Sequence, residues 1–272
     1  MTCVTKVRPV VLSIAGFDPS SGAGITADLK TIAAHRLFGI SCITALTVQS
    51  TQGVSQVQPV SAYLVRSTLK VLLDDFQPAA VKIGMLGSAD VVEAVAGMLE
   101  EHRLLNVVLD PILKASSGAA LLEAEGIHLL IQRLLPLVDV VTPNLEEAQQ
   151  LTGLPVSTVP QIRAAAQQLH NFGTKAVVVT GGHLEKPIDI LSPGSGKQIV
   201  EYAGERVSTN STHGTGCAFA TALACSLAIG NTLEDSVRKA KAYVAGALKS
   251  AYPIGKGKGP INHLFRYRDE DL

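Results

Sequence analysis

The chain has 272 residues, of which 47% are hydrophobic and 17% are charged, a composition that supports a sizeable core and excludes a disordered chain. Lysine plus arginine equals aspartate plus glutamate at 23 each, so the basic excess typical of nucleic-acid or anionic-membrane binding is missing. No apolar stretch reaches the roughly 20 residues that a membrane helix needs. The four cysteines match neither a zinc motif nor a small disulfide framework, which predicts a reducing, cytoplasmic setting.

Short β-branched segments alternate with longer helical segments from the first strand onward. Several of the strands are apolar throughout, as parallel strands buried on both faces are. The predicted strands are 10–15, 41–49, 79–83, 106–110, 138–142 and 175–181. The predicted helices are 27–36, 62–75, 90–101, 121–135, 145–151, 162–172, 217–229 and 233–250. This alternation predicts a doubly wound α/β sheet, and the lack of a long linker predicts a single domain over residues 1–272.

One segment breaks this rhythm between the last predicted core strand and the closing helices. Residues 188–191 and 198–203 are strand-like and flank a Ser-Pro-Gly-Ser-Gly turn, which predicts a β-hairpin. In open α/β sheets, ligands bind beyond the carboxyl ends of the strands. Polar or glycine-rich segments follow six predicted strands and begin at Gly16, Gln49, Gly84, Asp110, Thr142 and Gly181. These strand ends predict one functional edge.

The most informative motif is Gly214-Thr215-Gly216-Cys217, which directly precedes an apolar helical run. Glycine permits close backbone approach, and free N–H groups at a helix start attract anions such as phosphate. A thiol at a helix N-terminus is expected to have a lowered pKa, so Cys217 is a candidate general base. The alternative is a helix cap whose cysteine merely packs.

Two further segments carry candidate polar groups. Asn144 and Glu147 lie three residues apart at a helix start, where they would hold Mg²⁺ through its waters or simply form an N-cap. Residues 18–28 form a small-residue loop with Asp28 about one turn into a helix. Its glycines are misspaced for the dinucleotide-binding fingerprint, so an ordinary βα turn is the alternative.

Taken together, these motifs resemble the ribokinase-like superfamily and, within it, the hydroxymethylpyrimidine/phosphomethylpyrimidine kinases of thiamine biosynthesis. The resemblance extends from about residue 11 to residue 263. The matching stretches are 15–25 (AGFDPSSGAGI), 27–31 (ADLKT), 44–49 (TALTVQ), 82–86 (KIGML), 142–148 (TPNLEEA), 181–183 (GGH), 213–217 (HGTGC) and 257–263 (GKGPINH). The resemblance implies a ribokinase-like, mostly parallel sheet flanked by helices, with the hairpin beside the nucleotide. It also implies ATP and Mg²⁺ as cofactors, an aminopyrimidine substrate and a homodimer.

The resemblance further implies a role for each candidate residue. Gln49 would read the aminopyrimidine edge, because a side-chain amide donates and accepts hydrogen bonds at once. Cys217 would occupy the catalytic position and the three residues before it would hold the phosphoryl group. The ring pocket would be formed by Gly16, Ala23 and Met85, with Asp28 in its polar wall. The groups that order Mg²⁺ and phosphates would be Asp110, Asn144 and Glu147, with Thr180 beside the nucleotide.

The chain departs from the family pattern at two expected lysines. Thr180 precedes the paired glycines where the family commonly has lysine, and 116–118 is Ser-Ser-Gly instead of Lys-Ser-Gly. Lys114, or Lys256 and Lys258, would compensate as point charges on phosphate. Pyridoxal kinases resemble this chain at Thr180, which makes pyridoxal kinase activity an alternative function. The displaced lysines favour a third possibility, a non-catalytic protein that binds the pyrimidine.

Overall fold

A nine-stranded sheet forms the centre of the computed structural model, which describes residues 7–115, 118–182, 184, 187–194 and 196–267. The strand order is β3-β2-β1-β4-β5-β6-β7-β8-β9. From β2 to β7 neighbouring strands are parallel, whereas β3, β8 and β9 pair antiparallel with their neighbours. The predicted class, a doubly wound and mostly parallel α/β sheet, is therefore confirmed.

The strands are β1 Val10–Phe17, β2 Phe38–Ser50, β3 Gly53–Pro59, β4 Ala80–Ile83, β5 Val107–Leu109, β6 Val140–Val141, β7 Ala176–Val179, β8 Ile188–Ser192 and β9 Val200–Ala203. The helices are α1 Gly24–Ala34, α2 Ala62–Asp75, α3 Ala89–Glu101, α4 Ala124–Leu129, α5 Leu145–Thr152, α6 Val159–Asn171, α7 Thr215–Ala228 and α8 Leu233–Lys249. The predicted hairpin is confirmed as β8 and β9, which pair antiparallel.

Two sequence predictions of secondary structure differ from the structure. The continuous helix predicted over 121–135 is wrong: α4 is followed by a π-helical turn over Leu130–Leu134 and a 3₁₀ turn over Leu135–Leu137. Pro136 lies in that last turn, and proline lacks the N–H that a continuing α-helix requires. Strand β3 is not predicted, because its sequence, Gly-Val-Ser-Gln-Val-Gln-Pro, has only two β-branched residues and no polar–apolar alternation.

The helices cover the sheet in two layers, each with its own apolar core. Helices α1, α7 and α8 pack on one face, and their side of the core includes Phe219, Leu223 and Tyr243. Helices α2 to α6 cover the other face. Most core strands lie between the two layers, which explains why their sequences are apolar throughout.

The strand order reverses at β1, which has β2 on one side and β4 on the other. Connections leave these adjacent strands in opposite directions, and the carboxyl ends of β1 and β4 therefore border a crevice. A Cβ added to Gly16, at the end of β1, would lie 3.0 Å from Sδ of Met85, just beyond β4. The fold thus brings the residues predicted to line a ring pocket to the point where such sheets bind ligands.

Candidate active site

A fully buried ion pair forms the floor of the site. The Nζ of Lys82, in β4, lies 3.0 Å from Oδ2 of Asp28 in α1, and neither side chain is exposed to solvent. Ser13 and Thr221 donate hydrogen bonds of 2.6 and 2.7 Å to the same carboxylate. Burial lowers the pKa of Lys82, but the Asp28 carboxylate and the neighbouring acidic groups raise it above its ordinary value. The lysine is therefore charged.

The expected role of Asp28 in the wall of the ring pocket needs correction. Its two carboxylate oxygens accept from three donors, and the residue has no exposed surface on which a substrate could rest. A buried carboxylate with its hydrogen bonds completed holds its neighbours in place instead of binding a ligand. Asp28 fixes Lys82 beneath the site.

Asp110 lies on the other side of Lys82 and has a different environment. Its Oδ2 is 4.0 Å from the Lys82 Nζ and, among the described residues, has no hydrogen-bond partner. Burial raises the pKa of Asp110, and Lys82 offsets that shift only in part. Gly216 faces this carboxylate, because a Cβ at that position would lie 3.9 Å from Oδ1. An unpartnered oxygen beside the predicted anion loop is a candidate ligand group.

Cys217 lies between the start of α1 and Asp110. Both the Gly24 N–H and the Asp110 carboxylate are close enough to influence the pKa of its sulfur. The expectation of a lowered thiol pKa is wrong. Burial, assisted by the carboxylates of Asp110 and Asp28, raises the pKa of Cys217 to about 12, although Lys82 acts in the opposite direction. Desolvation outweighs the helix N-terminus here, so the thiol is neutral in the ligand-free protein.

The anion loop has the backbone that the sequence predicts. Gly214 adopts φ +84° at the N-cap of α7, and no side chain caps this helix. The amide groups of Gly216 and Cys217 belong to the first turn, where the N–H groups have no intrahelical acceptor. A Cβ at Gly214 would overlap the carbonyl oxygen of Gly22, so this position requires glycine. The anion loop and the loop after β1 are therefore in direct contact.

Asn144 and Glu147 form a reciprocal capping box at the start of α5. The Asn144 Oδ1 accepts from the Glu147 N–H at 3.0 Å, and the Glu147 Oε2 accepts from the Asn144 N–H at 2.9 Å. Burial raises the pKa of Glu147, and the nearby Asp110 carboxylate raises it further. The second oxygen of Glu147 takes no part in the box. Two close carboxylates with free oxygen atoms are a donor set that fits Mg²⁺.

Thr180 follows β7, so the carboxylates of Asp110 and Glu147 lie between it and β1 in the strand order. Its N–H donates to the Pro143 carbonyl at 2.9 Å, and it bridges to Asn144. The next residue, Gly181, donates its N–H to Asp189, which also accepts from Lys241 at 2.6 Å. The loop after β7 is thereby tied to α8.

The lysines suggested as replacements for the family cations lie at different places. Lys114 is exposed and bridges to Ala120, whereas Lys258 donates its N–H to Thr51 at 2.9 Å, in the turn between β2 and β3. The loop that contains Lys256 and Lys258 therefore lies by β2, five strands away from β7 and Thr180. The sequence features at Ser116, Ser117 and His183 lie outside the described residues.

The predicted ring pocket is assembled at the ends of β1, β2 and β4. Met85 packs against Gly16 and Ala45, and Ala23 lies half-buried in the loop after β1. Gln49 is half-buried near the end of β2, with its amide nitrogen 3.1 Å from Nε2 of His213. Gln49, Gly16 and Met85 thus face the same crevice.

Sequence reasoning misses the partners of Lys82, Asp18 and His213. Lys82 interrupts an apolar strand, and a lone charged residue in such a strand is a signal for a buried partner. Asp18 accepts from the N–H groups of Ser20, Gly22 and Ala23 and from the ring of His213. Burial raises the pKa of Asp18, but the hydrogen bonds from His213 and Ser20 more than offset this and hold it below its ordinary value.

Comparison with known proteins decides the family. The family model for phosphomethylpyrimidine kinase matches residues 18–262. The chain belongs to this family. Its sequence is 41% identical over 258 residues to hydroxymethylpyrimidine/phosphomethylpyrimidine kinase of Haemophilus influenzae, covering 93% of this chain and 96% of that protein. The prediction of a ribokinase-like kinase of this family is therefore confirmed.

Two further similarities extend the comparison. The thiamine biosynthesis bifunctional protein ThiED of Geobacter sulfurreducens is 41% identical over 264 residues, and this chain covers 54% of its length, about half. The ADP complex of Bacillus subtilis pyridoxal kinase superposes with a TM-score of 0.86 at 34% identity, covering 94% of this chain and 97% of that one. Among the described residues, no helix is long and apolar enough to cross a bilayer.

Proposed function

We propose that this phosphomethylpyrimidine kinase family member transfers phosphate from ATP to the hydroxymethyl group of 4-amino-5-hydroxymethyl-2-methylpyrimidine. It then phosphorylates the resulting monophosphate to the diphosphate, in thiamine biosynthesis. The observation that carries this proposal is the convergence of the Gly214–Gly216 amides, the Cys217 thiol and the unpartnered Asp110 oxygen at one strand edge. Phosphoryl transfer requires such positioning and charge stabilisation.

Each group at this edge has a distinct part in the proposed reaction. Gly214, Thr215 and Gly216 bind the phosphoryl oxygens through backbone N–H groups. Cys217 would lie beside the reacting hydroxyl and would accept its proton as a thiolate, after the thiol has released its own proton to solvent. Because burial and Asp110 keep the thiol neutral in the ligand-free protein, Cys217 becomes a base only when the negative charge around it is offset.

ATP and Mg²⁺ are the proposed cofactors. Asp110 and Glu147 would hold the metal, with Asn144 orienting Glu147 through the capping box, while Thr180 lies beside the nucleotide. Mg²⁺ held by these residues would neutralise the charge of the phosphates and of the two carboxylates. The β8–β9 hairpin adjoins β7 and would border the nucleotide on that side.

The substrate ring is proposed to lie in the crevice between β1 and β4. Gly16, Ala23 and Met85 provide its walls, and Gln49 hydrogen-bonds the aminopyrimidine edge. Gly16 suits this place because any side chain there would press on Met85.

ADP formation by the purified protein with Mg²⁺ tests the proposal, using the aminopyrimidine alcohol, its monophosphate and pyridoxal as substrates and mass spectrometry of the products. We expect turnover on both pyrimidines. Turnover on pyridoxal alone would transfer the assignment to pyridoxal kinase, a second candidate that the similarity to the Bacillus subtilis pyridoxal kinase favours. Binding of the pyrimidines without any ADP formation would overturn both kinase assignments.

We further propose a cytoplasmic homodimer. The described cysteines, Cys42, Cys217 and Cys225, are free and buried, as in proteins of reducing compartments. Strand β2 exposes Ile43, Leu46 and Val48 by 36%, 48% and 57%, an apolar stripe that a second copy of the chain would cover. Sedimentation equilibrium of the wild type and of L46E tests this. We expect a dimer that the glutamate weakens.

A further inference from the structure

The ring of His213 is held rigidly between the anion loop and the ring pocket. Its backbone N–H donates to the Gly259 carbonyl at 3.0 Å, and its carbonyl accepts from Ile261 at 3.3 Å. The imidazole packs so closely on Gly22 that a Cβ there would overlap Cδ2. Its side chain is only 12% exposed. The position of the His213 ring is therefore fixed, directly beside Gln49.

The proton on the His213 ring is assigned by Asp18. Nε2 lies 2.8 Å from Oδ2 of Asp18 and 3.1 Å from the amide nitrogen of Gln49. A carboxylate only accepts, so Nε2 must carry a hydrogen and donate it to Asp18. An N–H group of Gln49 pointing at that same nitrogen would then meet another donor. This arrangement leaves the Gln49 amide nitrogen without a hydrogen bond to His213.

The amide oxygen of Gln49 has a second conflict, with the hydroxyl of Thr47. The Thr47 hydroxyl lies 3.0 Å from the Phe17 carbonyl oxygen and 3.2 Å from the Gln49 amide oxygen, yet it has one hydrogen to donate. A half-turn of the amide about its last bond exchanges nitrogen and oxygen and resolves both conflicts. Thr47 then donates to Phe17 and accepts from the Gln49 N–H, while the amide oxygen shares the single Nε2 hydrogen of His213 with Asp18.

We propose that the Asp18–His213 pair is a specificity-determining element that fixes which end of the Gln49 amide donates and which end accepts. His213 and Asp18 are positioning residues, because they act on the substrate through Gln49. This inference rests on the proposed function, in which Gln49 reads the aminopyrimidine edge.

A fixed amide distinguishes rings by the direction of their hydrogen bonds. The 4-aminopyrimidine edge presents an amine that donates and a ring nitrogen that accepts. The 4-oxo counterpart presents a carbonyl that accepts and a ring N–H that donates, which reverses the pattern. A freely rotating glutamine matches either ring, whereas one held by Thr47 and His213 matches only one of them. Because the proposed substrate is the amino ring, we expect the fixed orientation to be the one that matches the amino ring.

Calorimetric binding of the two rings tests this inference without depending on turnover. Dissociation constants are measured for 4-amino-5-hydroxymethyl-2-methylpyrimidine and its 4-oxo counterpart with the wild type, H213Q and H213N. The glutamine amide nitrogen reaches the place of Nε2, whereas that of asparagine reaches only the place of Nδ1. We expect H213N to lower the preference for the amino ring by about threefold to tenfold, the effect of one hydrogen bond. H213Q should recover part of that preference.

A control in a Q49A background separates positioning from a general structural role. There the H213N change should leave the ratio of the two dissociation constants unchanged, because no amide remains to be oriented. If H213N weakens both rings equally in the otherwise wild-type protein, the ratio does not move and the inference is overturned. If the wild type binds neither ring, the proposed function fails and the inference fails with it.

Discussion

The two carboxylates on either side of Lys82 differ in a way that separates structure from function. Asp28, on the floor, has every oxygen occupied by Ser13, Lys82 or Thr221. Asp110, at the rim, is equally buried but leaves Oδ2 without a partner among the described residues. Complete hydrogen bonding indicates a residue that supports its neighbours, and a buried unpartnered oxygen indicates a place for a ligand.

The largest expected effect on turnover is for Cys217, next to Asp110. C217A should lower kcat by about 10²- to 10⁴-fold, because it removes the group beside the reacting hydroxyl, with modest change in the KM for the pyrimidine. Steady-state kinetics measures both parameters. The matched control is C225A, which removes another buried thiol from α7. Near-normal turnover of C217A would exclude the thiol as the base.

For the buried Lys82–Asp28 ion pair we expect a loss of folding stability. D28N removes the closer ion-pair partner of the buried Lys82, which keeps Asp110 at 4.0 Å, and breaking such a pair typically costs about 3–5 kcal/mol. The free energy of unfolding from urea titration measures this. D74N is the control, because it breaks the Lys70–Asp74 pair, whose side chains are 67% and 57% exposed, and should cost about 0–1 kcal/mol. Equal losses in the two variants would contradict the assigned difference.

His263 sharpens the comparison, because its Nε2 is buried and unpartnered while its Nδ1 contacts the Thr31 hydroxyl at 3.2 Å. Burial, together with the charges of Lys30 and His213, lowers the pKa of His263 to about 4, although the Gly22 backbone and Asp28 act in the opposite direction. Since the unfolded chain binds this proton more tightly, the contribution is complete above about pH 6.5 and is lost as the pH falls toward 4.

The pH prediction is tested by unfolding titrations between pH 4 and pH 7. The wild type should lose about 3 kcal/mol from this group across that range, and H263N should lose less because asparagine does not titrate. H128N, at an exposed position, is the control. A pH dependence of H263N identical to that of the wild type would show that the shift in His263 does not contribute.

The smallest expected effect concerns the metal. E147Q keeps the capping box, which glutamine also completes, but removes one carboxylate charge next to Asp110. The Mg²⁺ concentration for half-maximal activity should rise about tenfold. The neighbouring exposed residue offers a matched control, E146Q, which should leave that concentration unchanged. A response of E147Q equal to that of E146Q would argue against Glu147 as a metal group.

Local patterns predict the fold and the anion loop because both depend on neighbouring residues. Apolar strands and the Gly-Thr-Gly-Cys helix start have signatures in the sequence itself. The raised pKa of Cys217 is not predictable in this way, because it depends on burial and on Asp110, more than 100 residues away. The role of Asp28 is likewise set by partners on β1, β4 and α7, which only the folded chain brings together.

The contact between Gly214 and Gly22 links two ligand subsites into one thermodynamic unit. One glycine lies in the loop proposed to hold the phosphate and the other in the loop proposed to border the ring, and the two are in direct contact. A displacement of either loop must therefore displace the other. Any factor by which a bound ring tightens phosphate binding is the factor by which phosphate tightens the ring, because such coupling is reciprocal. The close contact of these two glycines gives the proposed phosphate and ring subsites a direct route for such coupling.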